Sequence, residues 1–222
     1  MAIRLEKGQR INLEKTSGAK LSNFCVGCNW GAIETRSGLF GLGKKVVSVD
    51  LDLSCVMLNA RGELCDHIYS PLYRVDLLKK FGLPAGKLDS FDRALHHSGD
   101  DLQGDTGGDD GLDNEIITVN LTKLSLEIEQ IFFFLNNVGK EDFSQIPYAS
   151  IRMYEGSPTK VQTVFAQYDI AAEPKYAGKK ALIMGKLYKH EGDWKFAAIG
   201  DAFEDNFLAY TIIRIVNDYA KK

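Results

Sequence analysis

Residues 99–115 hold seven carboxylates and five glycines in seventeen positions, with no Lys or Arg among them. Like charges packed that densely repel one another, so the run cannot settle into an ordinary helix or strand without help. A disordered acidic linker escapes the problem by staying extended and solvated. A cation placed among the carboxylates is the other escape. The glycines favour the cation, because they permit the tight turns that gather oxygens round an ion. Hard oxygen donors suit Ca²⁺ best. The segment is therefore read as a calcium loop, opening directly onto a strand-like Ile116-Ile117-Thr118-Val119-Asn120-Leu121.

The acidity is local. Net charge is −3, and outside the loop twenty-three acids face twenty-seven bases. That balance points to a cation site rather than to a generally acidic protein. No basic stripe with interleaved aromatics suggests nucleic-acid binding. Charges at Arg4, Glu6 and Lys7 break up any signal-peptide core, and the longest apolar run, Ile131 to Leu135, is far too short to span a bilayer. A soluble, cytoplasmic protein with no transmembrane segment is expected, its four cysteines reduced rather than paired.

Short alternating segments dominate the 222 residues. Candidate strands are Ala2–Glu6 and Arg10–Glu14 as a hairpin-like pair, Phe24–Trp30, Val46–Asn59, Ile116–Leu121 and Gln130–Asn136. Further on come Ala149–Tyr154, Lys160–Tyr168, Ala181–His190 and Trp194–Ile199. Turn residues at Arg61-Gly62, Glu155-Gly156-Ser157-Pro158 and Glu191-Gly192-Asp193 punctuate them. The fold expected is mainly β, a single-domain antiparallel β-sandwich of about ten strands. Residues 69–95, rich in Pro and Gly, form a short inserted excursion with one helical candidate at Val75–Phe81. Helical spacing from Phe203 to Tyr219 predicts a C-terminal helix packed on the sandwich. The division expected is a sandwich over 1–201 and the helix over 202–222.

The second limb of the site is Val49-Asp50-Leu51-Asp52-Leu53-Ser54. Strand alternation places Asp50 and Asp52 on one face, roughly 7 Å apart at ~3.3 Å per residue. They supply one side of the site. Asp100, Asp105, Asp109, Asp110, Asp113 and Glu115 supply the other, with backbone oxygens of Asp101, Gln103 or Gly107 joining. So many oxygens fit two adjacent Ca²⁺ ions, each taking about six to eight ligands. The helix–loop–helix calcium template does not apply, since the exit is a strand and the Asp-Gly-Glu spacing is wrong. Mg²⁺ tolerates crowded all-protein cages poorly, and the loop offers no Cys for zinc.

These segments together resemble the TerD family of bacterial tellurium-resistance and chemical-stress proteins. The resemblance runs through Ile11-Asn12-Leu13, Val26-Gly27-Cys28-Asn29-Trp30, Val49 to Ser54, and His97-Ser98-Gly99-Asp100-Asp101 to Gly108-Asp109-Asp110. It continues through Phe143-Ser144-Gln145-Ile146, Ile151-Arg152 and Leu187 to Phe196. It implies a calcium-binding β-sandwich with no established catalysis, and partners among other proteins of a stress-response complex, at the inner membrane surface for some. The family's commonest loop ends Gly-Asp-Asp-Glu, whereas Gly111-Leu112-Asp113-Asn114 intervenes here before Glu115. Either Asp109 and Asp110, or Asp113 and Glu115, take the matching places.

Other motifs carry less. Gly38-Leu39-Phe40-Gly41-Leu42-Gly43-Lys44-Lys45 mimics a phosphate loop, but Lys45 replaces the Ser/Thr and a strand pattern follows. Cys25 and Cys28 lie three apart on a strand, so their sulfurs diverge. His96-His97 is read as orienting the loop, with metal ligation the alternative. Arg152 is expected to pair with a carboxylate. The functional expectation is a calcium-binding stress-response module, not an enzyme. Its rivals are a metal-dependent phosphoester hydrolase using the carboxylate cluster and a calcium-dependent binder of membrane surfaces.

Overall fold

Two six-stranded sheets pack face to face, with a separate two-stranded hairpin beside them. The computed structural model describes residues 3–4, 6–14, 18–37, 43–170 and 174–220. In chain order the strands are β1 (Ile3–Arg4), β2 (Arg10–Asn12), β3 (Asn23–Trp30), β4 (Ile33–Ser37), β5 (Gly43–Val47), β6 (Leu51–Leu58) and β7 (Leu64–Ile68). They continue as β8 (Leu95–His97), β9 (Glu115–Asn120), β10 (Gln130–Asn137), β11 (Ala149–Ser157), β12 (Lys160–Asp169), β13 (Ala181–His190) and β14 (Asp193–Phe203). The first sheet runs β1-β12-β11-β3-β9-β8 and the second β2-β14-β13-β10-β6-β7, while β4 and β5 pair alone.

The core follows from alternation. Val26, Cys28 and Trp30 of β3 meet Leu51, Leu53, Cys55 and Met57 of β6 and Ile131, Phe133 and Leu135 of β10 between the sheets. Each such side chain contributes about 1.5–3 kcal/mol on full burial. The second sheet is also covered on its other face. Val56, Leu58, Phe132 and Phe134 lie beneath Leu78 of α1 (Val75–Lys80) and Leu208 and Ile212 of α2 (Leu208–Arg214). A π-helical turn, Ile215–Tyr219, extends α2. Aromatic rings join excursion to helix: Phe81 lies 5.2 Å from Tyr210 and 5.7 Å from Phe207, and Tyr73 lies 6.0 Å from Phe207. Among the described residues no helix is long and apolar enough to cross a membrane.

Several details differ from the sequence reading. The described residues form fourteen strands rather than about ten, because β4, β5, β7 and β8 are short and weakly patterned. Val46–Asn59 is not one strand: β5 ends at Val47 and β6 begins at Leu51, so Asp50 lies off the strand. Among the described residues the two opening strands do not pair with each other. β1 pairs in parallel with β12, and β2 pairs with β14 in the other sheet, so the sandwich is not wholly antiparallel. Phe203 closes β14, and the helix begins only at Leu208. The tip of the Gly-rich loop, residues 38–42, lies outside the described residues, as does part of the first predicted strand.

Candidate metal centre

The acidic run is bonded along its length to the rim of the sandwich. Val49 N–H donates to the Gln103 carbonyl (3.0 Å), Ala32 N–H to Asp105 (2.8 Å), and Asp105 N–H back to Trp30 (2.9 Å). Asn114 N–H donates to the Cys28 carbonyl (2.9 Å), and Trp30 N–H donates to Asn114 Oδ1 (2.8 Å). The buried Trp30 indole organises this corner, its Nε1–H donating to the Val49 carbonyl at 2.8 Å. Gly104 rests on the indole with φ at +75°, and a Cβ there would come within 2.6 Å of the ring. Such bonding excludes the extended, solvated linker.

Two groups of carboxylates emerge. Asp52, Asp100 and Glu115 can place one oxygen each within 4.8 Å of the others, and so can Asp105, Asp109 and Asp110. Two oxygens bound to one Ca²⁺ at about 2.4 Å cannot lie farther apart than ~4.8 Å, so each group is compact enough for a single ion. Asp50, Asp101 and Asp113 belong to neither group. Asp101 Oδ1 instead accepts the Gln103 and Gly104 N–H groups (2.8 and 2.9 Å), turning the chain. Gly107 N–H donates to Glu34 Oε1 at 2.8 Å.

The first group is buried. Asp52 is 5 % exposed and Glu115 is fully enclosed. Glu115 Oε2 accepts the Leu53 N–H (2.7 Å) and Oε1 the Asp101 N–H (3.1 Å). Gly99 N–H donates to His97 Nδ1 (3.0 Å), which places the ring proton on Nε2, 3.0 Å from the Leu53 carbonyl and 3.5 Å from Glu115 Oε2. Ser70, in the excursion, donates its hydroxyl to Asp100 Oδ2 at 2.5 Å. Burial holds the Asp52 carboxyl well above the usual range, and Glu115, Asp50 and Asp100 push it further; the buried Tyr73 hydroxyl beside it draws it partly back. Burial also raises Glu115, against the pull of His97. Asp50 rises through burial and the charges of Asp100 and Asp101.

The donor chemistry fits a hard cation. Asp50 Oδ1 and Asp100 Oδ1 are buried and accept no hydrogen bond. A buried acceptor left that way costs about 1–3 kcal/mol. Two carboxylates ~5 Å apart add roughly 3 kcal/mol of repulsion at an effective dielectric of about 20. A divalent ion removes both penalties.

The second group sits in the open loop and leans on the first sheet. Asn29 Nδ2 donates to Asp109 Oδ1 (2.9 Å), and the Tyr148 hydroxyl to Asp105 Oδ2 (3.0 Å). Asn114 Nδ2 donates to Asp105 Oδ1 (3.0 Å). Arg152 on β11 grips the buried Asp113 through Nε (2.9 and 3.1 Å) and the Gly111 carbonyl through Nη2 (2.8 Å). Asp113 lies so close over Gly27 that any Cβ there would collide with its carboxylate. Arg152 therefore has the carboxylate partner expected of it.

A match to the TerD domain covers residues 1–214. The chain belongs to the TerD family. It is 34% identical over 222 residues to stress response protein SCP2 of Bacillus subtilis, covering 97% of this chain and 100% of that one. With tellurium resistance protein TerZ of Serratia marcescens it shares 30% over 200 residues, 90% of each chain. A solved homologue of telluride resistance protein (TerD) from Streptomyces coelicolor has the same fold, with a TM-score of 0.57 at 14% identity over 90% of this chain and 98% of that one. None of these names is an enzyme's.

Against this TerD fold, His96 is exposed and bonded to Asp89 Oδ1 (2.9 Å), whereas His97 orients the site from inside. Cys28 joins the main core and Cys25 a small cluster with Ile116 and Tyr154, so the two sulfurs do diverge. Trp30, Ser70, Tyr73, Asn29, Asn114 and Tyr148 are residues that spacing did not single out as site components. Trp30 and Asn29 lay in a segment of the family resemblance, Asn114 in the acidic run and Ser70 and Tyr73 in the excursion, while Tyr148 lay in none. Ser70 and Tyr73 reach the site through the folding of the excursion, which no local pattern encodes.

Proposed function

We propose that this TerD-family chain is a calcium-binding stress-response module of the tellurium-resistance type, working by binding rather than catalysis. One ion is held by Asp52, Asp100 and Glu115, with Asp50 beside it, and a second by Asp105, Asp109 and Asp110. The observation that carries the reading is the buried group: three carboxylates among apolar strands, with Asp100 Oδ1 and the neighbouring Asp50 Oδ1 unpaired. The relatives' names, stress response and tellurium resistance, support the cellular role. The ion neutralises the repulsion and locks the loop onto β6 and β9, creating a surface that other proteins of a stress response can read.

Thermal unfolding of chelator-treated protein, with and without Ca²⁺ or Mg²⁺, tests this. Ca²⁺ raises the melting temperature as any ligand of the folded state does, and slows amide exchange across 99–115. Unchanged melting and exchange at saturating Ca²⁺ would refute it.

A further inference from the structure

A cavity of about 360 Å³ lies on the first sheet, bordered by β3, β8 and β9, the strands β8 and β9 flanking the acidic loop on either side. Arg93, His96 and Lys123 line it with Asn23, Thr118 and Asn120. Arg93 projects from the turn before β8 and Lys123 from the turn after β9, and both side chains are exposed. The two turns are bolted together: Asn120 N–H donates to the Ala94 carbonyl (2.7 Å), and Ser125 N–H to Asp92 Oδ2 (2.8 Å). The cations are thus presented from a rigid base.

The neighbouring acids are already engaged. Asp92 Oδ1 accepts the Ser90 hydroxyl (2.7 Å) and the Ala94 N–H (2.9 Å), and Asp89 Oδ1 lies 2.9 Å from His96 Nδ1. Among the described residues, neither Arg93 nor Lys123 has a side-chain partner. Asn120 Oδ1 accepts from Thr122 N–H (3.0 Å) and its hydroxyl (2.6 Å), which turns the amide donors away from Thr122.

The backbone at Arg93 is set by its turn. Arg93 has φ at 54°, in the left-handed region where Gly or Asn sits with less strain. The turn's own hydrogen bonds hold that conformation: Arg93 N–H donates to the Ser90 carbonyl (3.0 Å), Ser90 N–H to the Leu95 carbonyl (3.0 Å) and Leu95 N–H to Ser90 Oγ (2.9 Å). The turn leaves the exposed Arg93 side chain at the edge of the cavity.

We propose that this cavity binds an oxyanion of the phosphate class, with Arg93 and Lys123 providing the charge and the Asn120 amide completing the donor set. The occupant is a phosphoryl group on a small molecule or a lipid headgroup. Nucleic acid is disfavoured because the phenyl ring at the cavity, Phe24, is buried in the core and offers no face for a base.

The test is a titration of the full ¹⁵N-labelled chain with inorganic phosphate, against chloride at matched ionic strength. Amides of residues 93–96 and 118–123 shift saturably with phosphate alone. Arg93→Asn and Lys123→Gln each weaken the fitted affinity at least about tenfold, as loss of a charge-assisted bond should. Arg93→Asn also raises the melting temperature, because Asn suits the left-handed backbone. An arginine serving only the fold would show the reverse. Sedimentation with phosphatidylcholine vesicles containing phosphatidic acid separates the sources: binding there, together with weak inorganic phosphate binding, identifies a headgroup. Shifts that merely track ionic strength, or saturable binding that survives in the double variant, overturn the proposal.

Discussion

Glu115, the first residue of β9 in one sheet, accepts the backbone N–H of Leu53 in the other sheet at 2.7 Å, so a single carboxylate stitches the sandwich at its acidic rim. β7 reaches only as far as Ile68, opposite Cys55, and Leu53 has no strand partner on that side. Glu115 takes its N–H and His97 Nε2–H its carbonyl, replacing the missing strand with two side chains. The carboxylate that organises the fold is therefore also one of the three that crowd the buried group.

Two Glu115 variants separate these roles. Glu115→Gln keeps an acceptor while removing the charge, so the metal-free protein melts higher than the parent and its response to Ca²⁺ shrinks. Glu115→Ala leaves the Leu53 and Asp101 N–H groups without their acceptor, at a cost of about 2–4 kcal/mol. Urea unfolding with and without chelator distinguishes the two.

Stability should depend on pH with opposite slopes in the two ionic states. Asp52 and Glu115 titrate above their usual values, by burial first and then, for Asp52, through the charge of Glu115. Between the unfolded values near 4 and the raised folded ones, the native chain binds more protons than the unfolded chain. Its metal-free stability therefore falls as pH rises through that window and grows on acidification from neutrality. With Ca²⁺ bound, protons compete with the ion and acidification destabilises instead. Asp92 and Asp142, where hydrogen bonds outweigh burial and lower the carboxyl, act the other way only below about pH 4. Melting at pH 5 and 7, with chelator and with Ca²⁺, reads both slopes.

Arg152→Ala strips the partner from Asp113, whose carboxylate is fully buried. Breaking a buried pair from one side costs about 3–5 kcal/mol, and the partly exposed arginine places this case at the lower end. Arg152→Lys recovers part of it but cannot hold Asp113 and the Gly111 carbonyl together. Differential unfolding, with amide exchange over 109–114, provides the check.

Trp30→Phe removes the indole donor to the Val49 carbonyl. The expected loss is about 1–3 kcal/mol, with faster exchange at residues 101–105, where Gly104 rests on the ring.

How far the sequence reached depends on how local each signal is. The long strands, β3, β6 and β9 to β14, were legible because apolar residues recur on one face or fill a doubly covered strand. The short edges were not: β8 spans three residues, and its apolar Leu95 is matched by two histidines. Asp50 and Asp52 were read as neighbours on one polar face, yet the break at 48–50 takes Asp50 off the strand. Asp52 is buried because α1, α2 and the excursion cover that face. The acidic loop stood out through its composition. Its division into a buried group and an open one depends on Trp30, Arg152 and the excursion residues Ser70 and Tyr73, which converge only in three dimensions.

Calorimetric titration of chelator-treated protein with Ca²⁺, repeated on Asp52→Asn and Asp109→Asn, addresses the central claim most directly. The expected isotherm for the parent resolves two sites, with Asp52→Asn abolishing one and Asp109→Asn the other. No saturable heat with Ca²⁺, or two sites that persist unchanged in both variants, would contradict the account.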